Sequence, residues 1–138
     1  MDNLTPAQRS ETMRRVRSVD TTPELLVRSA VHGMGFRYGL HCRRLAGCPD
    51  LVLSRLRTVI FVHGCFWHCH CCPGAELPRS NRAYWRSKQQ RNSVRDRRNI
   101  GALRRAGWRV LVIWECQTRN TGKLQTRISR FLSGGHER

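Results

Sequence analysis

Residues 49–72 read PDLVLSRLRTVIFVHGCFWHCHCC, and the rest of the chain is interpreted outward from them. Residues 49–53 and 57–62 are β-rich, are bounded by turn residues, and are close enough to form a hairpin. Asp50 then lies at the start of the first strand and Val62 at the end of the second. The segment 62–72 holds three histidines and four of the seven cysteines, a composition that packing does not require. We therefore expect a hairpin that leads directly into a chemical site.

The sequence on either side of the hairpin predicts helices and one further strand. A helix start signal lies at Thr22-Pro23-Glu24, and Gly35 and Gly107 are natural stops. We expect helices over residues 22–34, 81–106 and 121–133, and strands over 36–40 and 108–114. The last strand is apolar on both faces, which favours a central position. The second helix either runs through Asn92-Ser93 or breaks there. The expected fold is α/β, a mixed sheet with helices on its faces.

The charge of the chain indicates a nucleic-acid partner. The formal net charge is +17, from 26 basic and 9 acidic residues. Arg makes up 24 of the 26, which codon usage in a GC-rich genome explains in part, but codon usage does not explain the shortage of acids. Positive charge spread over a whole chain is typical of nucleic-acid binders. Membrane-surface binding is the rival interpretation, but no basic amphipathic helix with an aromatic apolar face stands out.

The length of 138 residues fits one domain preceded by a short arm. Residues 1–20 are expected to be a basic arm that lies on DNA phosphates, or a solvated helix that begins at Thr5-Pro6, and residues 21–138 the folded domain. No apolar run approaches the roughly 20 residues of a membrane span, and the start of the chain lacks the apolar core of a signal peptide. We expect a cytoplasmic, nucleoid-associated protein whose cysteines are thiols or metal ligands.

The cysteines and histidines after the hairpin predict a structural zinc site. Tetrahedral zinc takes four such ligands, and Cys65, His70 and Cys72 are three candidates at short spacing. Cys116 follows the last strand and is a plausible fourth. Cys69 and Cys71 compete with these, so the ligand choice stays open. Two further cysteines, Cys42 and Cys48, are interpreted as small buried apolar residues.

Aromatic residues interleave with the predicted ligands. Phe66-Trp67 lies inside the ligand run, where a zinc ion would hold both rings rigidly. On a basic protein, outward-facing rings would stack on bases or insert between base steps. Trp85, early in the long helix, is a candidate third member of this group. The alternative is that all three belong to the core.

Asp50 and the residues around Val62 predict a hydrolytic metal site. An acid at a strand start, followed by a second strand, is the layout of restriction-type nucleases, although their usual second acid and lysine are replaced here. Mg²⁺ prefers oxygen ligands, which the Asp50 carboxylate, the Val62 carbonyl and phosphate would supply. His68 or His63 could transfer protons. The alternative for Glu24 on this pattern is a purely structural role, because a carboxylate in the first turn of a helix interacts favourably with the helix dipole.

Four runs of the sequence resemble the very-short-patch-repair (Vsr) mismatch endonuclease family. The runs are CPDLV at 48–52, VIFVHGCFWH at 59–68, NSVRDRR at 92–98 and GWRVLVIWEC at 107–116. The likeness spans roughly residues 10–131 and keeps the order of the family's motifs. It implies a restriction-endonuclease-like domain over 21–138 with a structural zinc. It also implies an Mg²⁺-dependent enzyme that nicks DNA 5′ to the thymine of a T:G mismatch produced by deamination of 5-methylcytosine.

The same resemblance implies roles for particular residues. Asp50 matches the metal-binding aspartate and Val62 the position whose carbonyl binds the metal. The residues matching the family's two histidines and two supporting acids are His68, His63, Glu24 and Asp96. Those matching its zinc ligands are Cys65, His70, Cys72 and Cys116, and those matching its DNA-wedging aromatics are Phe66, Trp67 and Trp85.

Two departures from the family pattern bear on these roles. Known members have Thr where this chain has Val62, so a hydroxyl contact is lost while the carbonyl survives. Cys69 and Cys71 make the ligand run richer in cysteine. The expected partners are duplex DNA with a T:G mismatch, bound by a monomer, with functional links to a cytosine methyltransferase and to mismatch-repair proteins. Two alternatives are a restriction-like endonuclease acting on matched duplex and a zinc-stabilised DNA-binding module without catalysis.

Overall fold

A computed structural model of the chain describes residues 21–68, 70 and 76–134. The predicted basic arm at 1–20 lies outside the described residues, as do Cys69, Cys71 and Cys72. The elements, in chain order, are α1 (Thr22–Gly33), β1 (Gly39–Leu40), β2 (Leu51–Leu53), β3 (Thr58–His63), α2 (Arg82–Arg105), β4 (Arg109–Trp114) and α3 (Thr121–Leu132), with short 3-10 turns at Ser54–Leu56 and Glu115–Thr118. None of the described helices is long and apolar enough to cross a membrane.

The four strands form one mixed sheet in the order β1-β2-β3-β4. β2 and β3 pair antiparallel, with Leu51 opposite Ile60, which confirms the predicted hairpin. β3 and β4 pair in parallel, and α2 makes the crossover between them. The predicted mixed sheet with flanking helices is therefore confirmed.

The prediction that β4 is a central strand is wrong, because β4 forms one edge of the sheet in the described part of the chain. Its side chains are nevertheless divided between two cores. Leu111 and Ile113 belong to the core under α1 and α3, whereas Val110 packs with Leu103 of α2 on the other face. Helices thus cover both faces of β4, and burial on both faces requires no second neighbouring strand.

Local sequence explains where the helices begin and end. The Thr21 hydroxyl accepts a hydrogen bond from the Glu24 amide (3.4 Å), so α1 is capped one residue earlier than predicted. α2 runs unbroken through Asn92 and Ser93. The Asn92 side chain donates to the Trp67 carbonyl (2.9 Å) instead of competing for the hydrogen bonds of its own helix. Gly107 (φ +91°) follows the helix, as the sequence predicts.

Ile60 is the best single test of this packing, because it is fully buried on β3 in the core beneath α1 and α3. We expect Ile60→Ala to lower the free energy of unfolding by about 2–5 kcal/mol, since it leaves a cavity that the core fills only in part. Leu25→Ala is the control: Leu25 is 47% exposed on α1, and its loss should cost about 0.5 kcal/mol or less. Urea titration measures both, and equal losses would contradict this arrangement.

Candidate active site and metal centre

The predicted catalytic residues meet in one cavity of about 650 Å³ at the end of the hairpin. The start of α1, the end of β3, the turn that follows it and one face of α2 line the cavity. Its lining includes eight of the predicted site residues: Glu24, Asp50, Val62, His63, Phe66, Trp67, His68 and Asp96. Residues separated by more than seventy positions in the chain are thus brought to one place.

Asp50 is held by the far strand of the hairpin. Its Oδ2 accepts a hydrogen bond from the Val62 amide at 2.7 Å. Burial raises the pKa of the Asp50 carboxyl to about 7, even though the Val62 hydrogen bond acts to lower it, and the charge of Glu24 contributes to the rise. An acid so placed prefers either a proton or a cation beside it.

Glu24 and His41 lie next to Asp50. Glu24 is buried, and its Oε2 accepts hydrogen bonds from the Arg28 guanidinium and from His41 Nε2, the latter at 2.9 Å. His41 Nε2 is also 4.0 Å from Asp50 Oδ1. Glu24 lies in the first turn of α1, where a carboxylate would interact favourably with the helix dipole. It also lines the cavity, however.

The sequence motifs did not indicate His41. It follows β1, a strand of only two residues, which has no readable periodicity. The one available signal was strand register: Leu40 pairs with Leu51, so the next residues along the two strands are His41 and Asp50. A register between such short strands is visible only in the folded structure.

Two histidines and an aspartate form the other side of the cavity. His68 Nδ1 is hydrogen-bonded to the Asp96 carboxylate, which leaves its Nε2 as the nitrogen free to act on a substrate. The His63 ring stacks on His68 with centroids 3.9 Å apart and planes at 5°. Burial lowers the pKa of His63 to about 3, and the neighbouring His68 lowers it as well. His63 is therefore neutral at physiological pH, and its Nδ1 has no hydrogen-bond partner among the described residues.

Three of the four predicted zinc ligands come together beyond the end of β4. The ligand atoms of Cys65, His70 and Cys116 all lie within 4.8 Å of one another. The Cys116 sulfur is 3.6 Å from His70 Nδ1, and the Cys116 amide donates to the Cys65 sulfur at 3.4 Å. Two sulfurs and an imidazole nitrogen at this spacing suit a tetrahedral zinc ion. The predicted fourth ligand, Cys72, lies outside the described residues.

The other two described cysteines lie apart from this group. Cys42 is partly buried at the margin of the second core, so its interpretation as a buried apolar residue holds only in part. Cys48 is exposed on a left-handed turn (φ 50°), so its interpretation as a buried apolar residue is wrong. The turn after Gly47 directs it away from the core.

The predicted wedge aromatics face outward only in part. Trp67 and Trp85 are 7% and 4% exposed, whereas Phe66 is half-buried. The three rings pack edge to face, with centroids 5.2–6.0 Å apart. The side chains of Gln89 and Asn92 hold this segment against α2 through the carbonyls of Phe66 (2.7 Å) and Trp67 (2.9 Å). Buried amide donors on the long helix therefore hold the Phe66-Trp67 backbone, and of the three rings that of Phe66 is the most exposed.

The pKa of His63 predicts how stability depends on pH. Because the folded-state value lies below the ordinary value near 6.5, the unfolded chain binds the proton first as the pH falls. The contribution of His63 to the free energy of unfolding is therefore complete above about pH 6.5, and it should decline by roughly 2 kcal/mol by about pH 5. His63→Gln cannot take up this proton, so its free energy of unfolding should fall less steeply over this range. Denaturant titrations of wild type and His63→Gln between about pH 6.5 and about pH 5 measure this difference. Equal pH dependence of the two free energies of unfolding would contradict the neutral state of His63.

Comparison with known proteins agrees with this geometry. The family model for DNA mismatch endonuclease Vsr matches residues 1–74. The chain is 45% identical over 131 residues to type II nicking enzyme V.XorIIP of Xanthomonas oryzae pv. oryzae, covering 95% of this chain and 96% of that protein. It is 42% identical over 118 residues to DNA mismatch endonuclease Vsr of Escherichia coli K12, covering 86% and 76%.

Among solved structures, the chain is similar to the catalytic domain of homing endonuclease I-Bth0305I. The TM-score is 0.60 at 21% identity, over 86% of this chain and all of that domain. This likeness supports the fold. The family match and the identities, together with the clustered motif residues, establish that the chain belongs to the Vsr DNA mismatch endonuclease family.

Proposed function

We propose that this protein is an Mg²⁺-dependent endonuclease that nicks one DNA strand 5′ to the thymine of a T:G mismatch arising from deamination of 5-methylcytosine, and so begins very short patch repair. The observation that carries the proposal is the shared cavity. It places an acid held on the hairpin, Asp50, across from a histidine oriented by a second acid, His68 with Asp96. Membership of the Vsr DNA mismatch endonuclease family supports mismatched DNA as the substrate.

The residues around Asp50 suit a hard cation. Asp50 and Glu24 bring two carboxylates together, and burial, with a smaller contribution from the repulsion between them, raises the pKa of Asp50. A divalent cation would relieve that repulsion, and oxygen donors are those that Mg²⁺ prefers. Asp50, Glu24 and the Val62 carbonyl are the groups that would hold it. When bound, the ion would polarise the scissile phosphodiester and stabilise charge on the leaving 3′ oxygen.

His68 is the group best placed to move a proton. Its Nδ1 is engaged by Asp96, which fixes the ring and leaves Nε2 towards the cavity. The neutral His63 ring, stacked on it, holds the imidazole plane without adding a second positive charge. In this role His68 relays a proton between the attacking water and phosphate oxygens. The products are a 5′-phosphate and a 3′-hydroxyl.

DNA binding rests on charge and on the aromatic segment. The exposed positions of α2 include eight arginines, which would contact phosphates: Arg82, Arg86, Arg91, Arg95, Arg97, Arg98, Arg104 and Arg105. Affinity should therefore fall steeply with salt. Phe66, which is half-buried, would form the tip of the wedge, and its ring packs against those of the buried Trp67 and Trp85. A wobble pair is easier to unstack than a Watson–Crick pair, which would favour the mismatch.

The decisive experiment uses matched duplexes that differ at one base pair. Wild-type protein with Mg²⁺ should nick the T:G duplex once, 5′ to the thymine, and leave the T:A duplex intact. Asp50→Asn should bind the T:G duplex but not cut it, and His68→Ala should be slower by about 10²–10⁴-fold. Denaturing gels give the cleavage position and rate. Cleavage of both strands of T:A duplex would favour a restriction-like enzyme, and binding without nicking by wild type would favour a non-catalytic module.

We further propose that Cys65, His70 and Cys116 hold a structural zinc ion, with Cys72 as the fourth ligand. The support is the mutual proximity of the first three ligand atoms. The site joins the segment after β3 to the turn after β4, so a bound ion would fix the aromatic segment and His68 in place. Its sulfur-rich composition separates it chemically from the oxygen-rich cation site around Asp50.

Zinc content and catalysis should respond to different substitutions. Cys116→Ser should lose the zinc ion and the thermal stability that depends on it, because a tetrahedral site has no ligand to spare. Cys48→Ser is the matched control, since Cys48 is exposed and outside the ligand group. The zinc contents of Cys69→Ser, Cys71→Ser and Cys72→Ser, from elemental analysis, identify the fourth ligand as the cysteine whose substitution removes the ion. Full zinc occupancy in Cys116→Ser would refute the assignment.

A further inference from the structure

His41 lies beside Glu24 and Asp50, and the catalytic scheme leaves it without a role. Its Nε2 is 2.9 Å from Glu24 Oε2 and 4.0 Å from Asp50 Oδ1. The ligand atoms of the three residues lie within 4.8 Å of one another, which gives the cation site a nitrogen donor as well as oxygens.

The backbone fixes His41 in this place. Its amide donates to the Asp50 carbonyl at 3.2 Å, which extends the pairing of β1 and β2 by one step. Its φ of 46° is left-handed, a conformation that costs a non-glycine residue of order 1 kcal/mol or more. The main chain of the metal-binding aspartate and the main chain of His41 are therefore tied together. This bond holds the Cα of His41 beside Asp50, at a distance from which the imidazole reaches both carboxylates.

The interactions of Glu24 leave room for a ligand role. Arg28, one turn further along α1, reaches the Glu24 carboxylate from within the helix. It balances the charge of that carboxylate, so the contact with His41 is not needed for neutralisation. The Nε2 atom that faces Glu24 is a donor in one neutral tautomer and carries a lone pair in the other.

We propose that His41 Nε2 is a direct ligand of the catalytic cation together with Asp50 and Glu24, and that it shifts the metal preference of the site from Mg²⁺ towards Mn²⁺. The inference rests on the proposed function, because it concerns the cation that nicking requires. An imidazole nitrogen favours transition metals, whereas Mg²⁺ gains little from it. The competing explanation is a positioning role, in which His41 only orients Glu24 by a hydrogen bond.

Mn²⁺ bound to the zinc-loaded protein distinguishes the two roles without relying on activity. Electron spin echo spectra should show coupling to one imidazole ¹⁴N in wild type and none in His41→Gln. Mn²⁺ affinity, from the free-ion resonance signal, should fall at least about tenfold in His41→Gln, while Mg²⁺ affinity, measured by competition, changes much less. His32→Gln is the matched control, an exposed histidine on α1, and should retain both the coupling and the affinity.

The remaining outcomes separate this inference from the proposed function. His68→Ala should retain the nitrogen coupling, and its loss there would assign the ligand to His68 and overturn the role of His41. Mn²⁺ that binds in an Asp50-dependent manner without nitrogen coupling would leave the nuclease proposal standing and make His41 a positioning residue. Mn²⁺ binding that is unchanged in Asp50→Asn would remove the cation site itself and refute both.

Discussion

The hydrogen bond from the Val62 amide to the Asp50 carboxylate joins the fold of this protein to its chemistry. It links the residue before β2 to the next-to-last residue of β3, at the end of the hairpin opposite its turn. Because β3 is buried on both faces, neither strand can slip without moving its apolar side chains out of a core. The position of the acid is therefore set by the packing of Ile60, Val59 and Phe61, and not by a flexible loop.

That constraint explains the unusual electrostatics of the cavity. A carboxylate held by the sheet beside Glu24 cannot move into solvent, so burial and like charge act on it together. On the opposite side His63 is kept neutral by the same lack of solvent, while His68 is oriented by Asp96. The two sides are complementary: one gathers negative charge that favours a cation, and the other supplies an imidazole that can carry a proton. The chain around this small group of acids has a net charge of +17, which favours the approach of phosphate.

Much of this arrangement was predictable, and the errors have identifiable physical origins. The hairpin and the three described helices follow from apolar pattern, caps and glycine stops, and the motif residues converge on one cavity as expected. β4 was predicted to be a central strand and is an edge strand of the described sheet. Its hydrophobic pattern indicates that both of its faces are buried, but it carries no information on the number of neighbouring strands. His41 was missed because its relation to Asp50 depends on the register of a two-residue strand. The placement of Phe66 and Trp67 depends on the amides of Gln89 and Asn92, whose partners are carbonyls twenty-three and twenty-five positions away.

The segment from His63 to His68 is held at three places, which limits how it can move. It begins on β3, its carbonyls at 66 and 67 are bound by α2, and Cys65 contacts Glu115 and Cys116 after β4. Asp96, the partner of His68, lies one turn beyond Asn92 on the same face of α2. One helix, α2, therefore binds the aromatic segment at two carbonyls and the His68 imidazole at Asp96. Moving this segment away from α2 would break the hydrogen bonds at the Phe66 and Trp67 carbonyls together with the one between His68 and Asp96, so the position of the aromatic rings and that of the His68 imidazole are coupled.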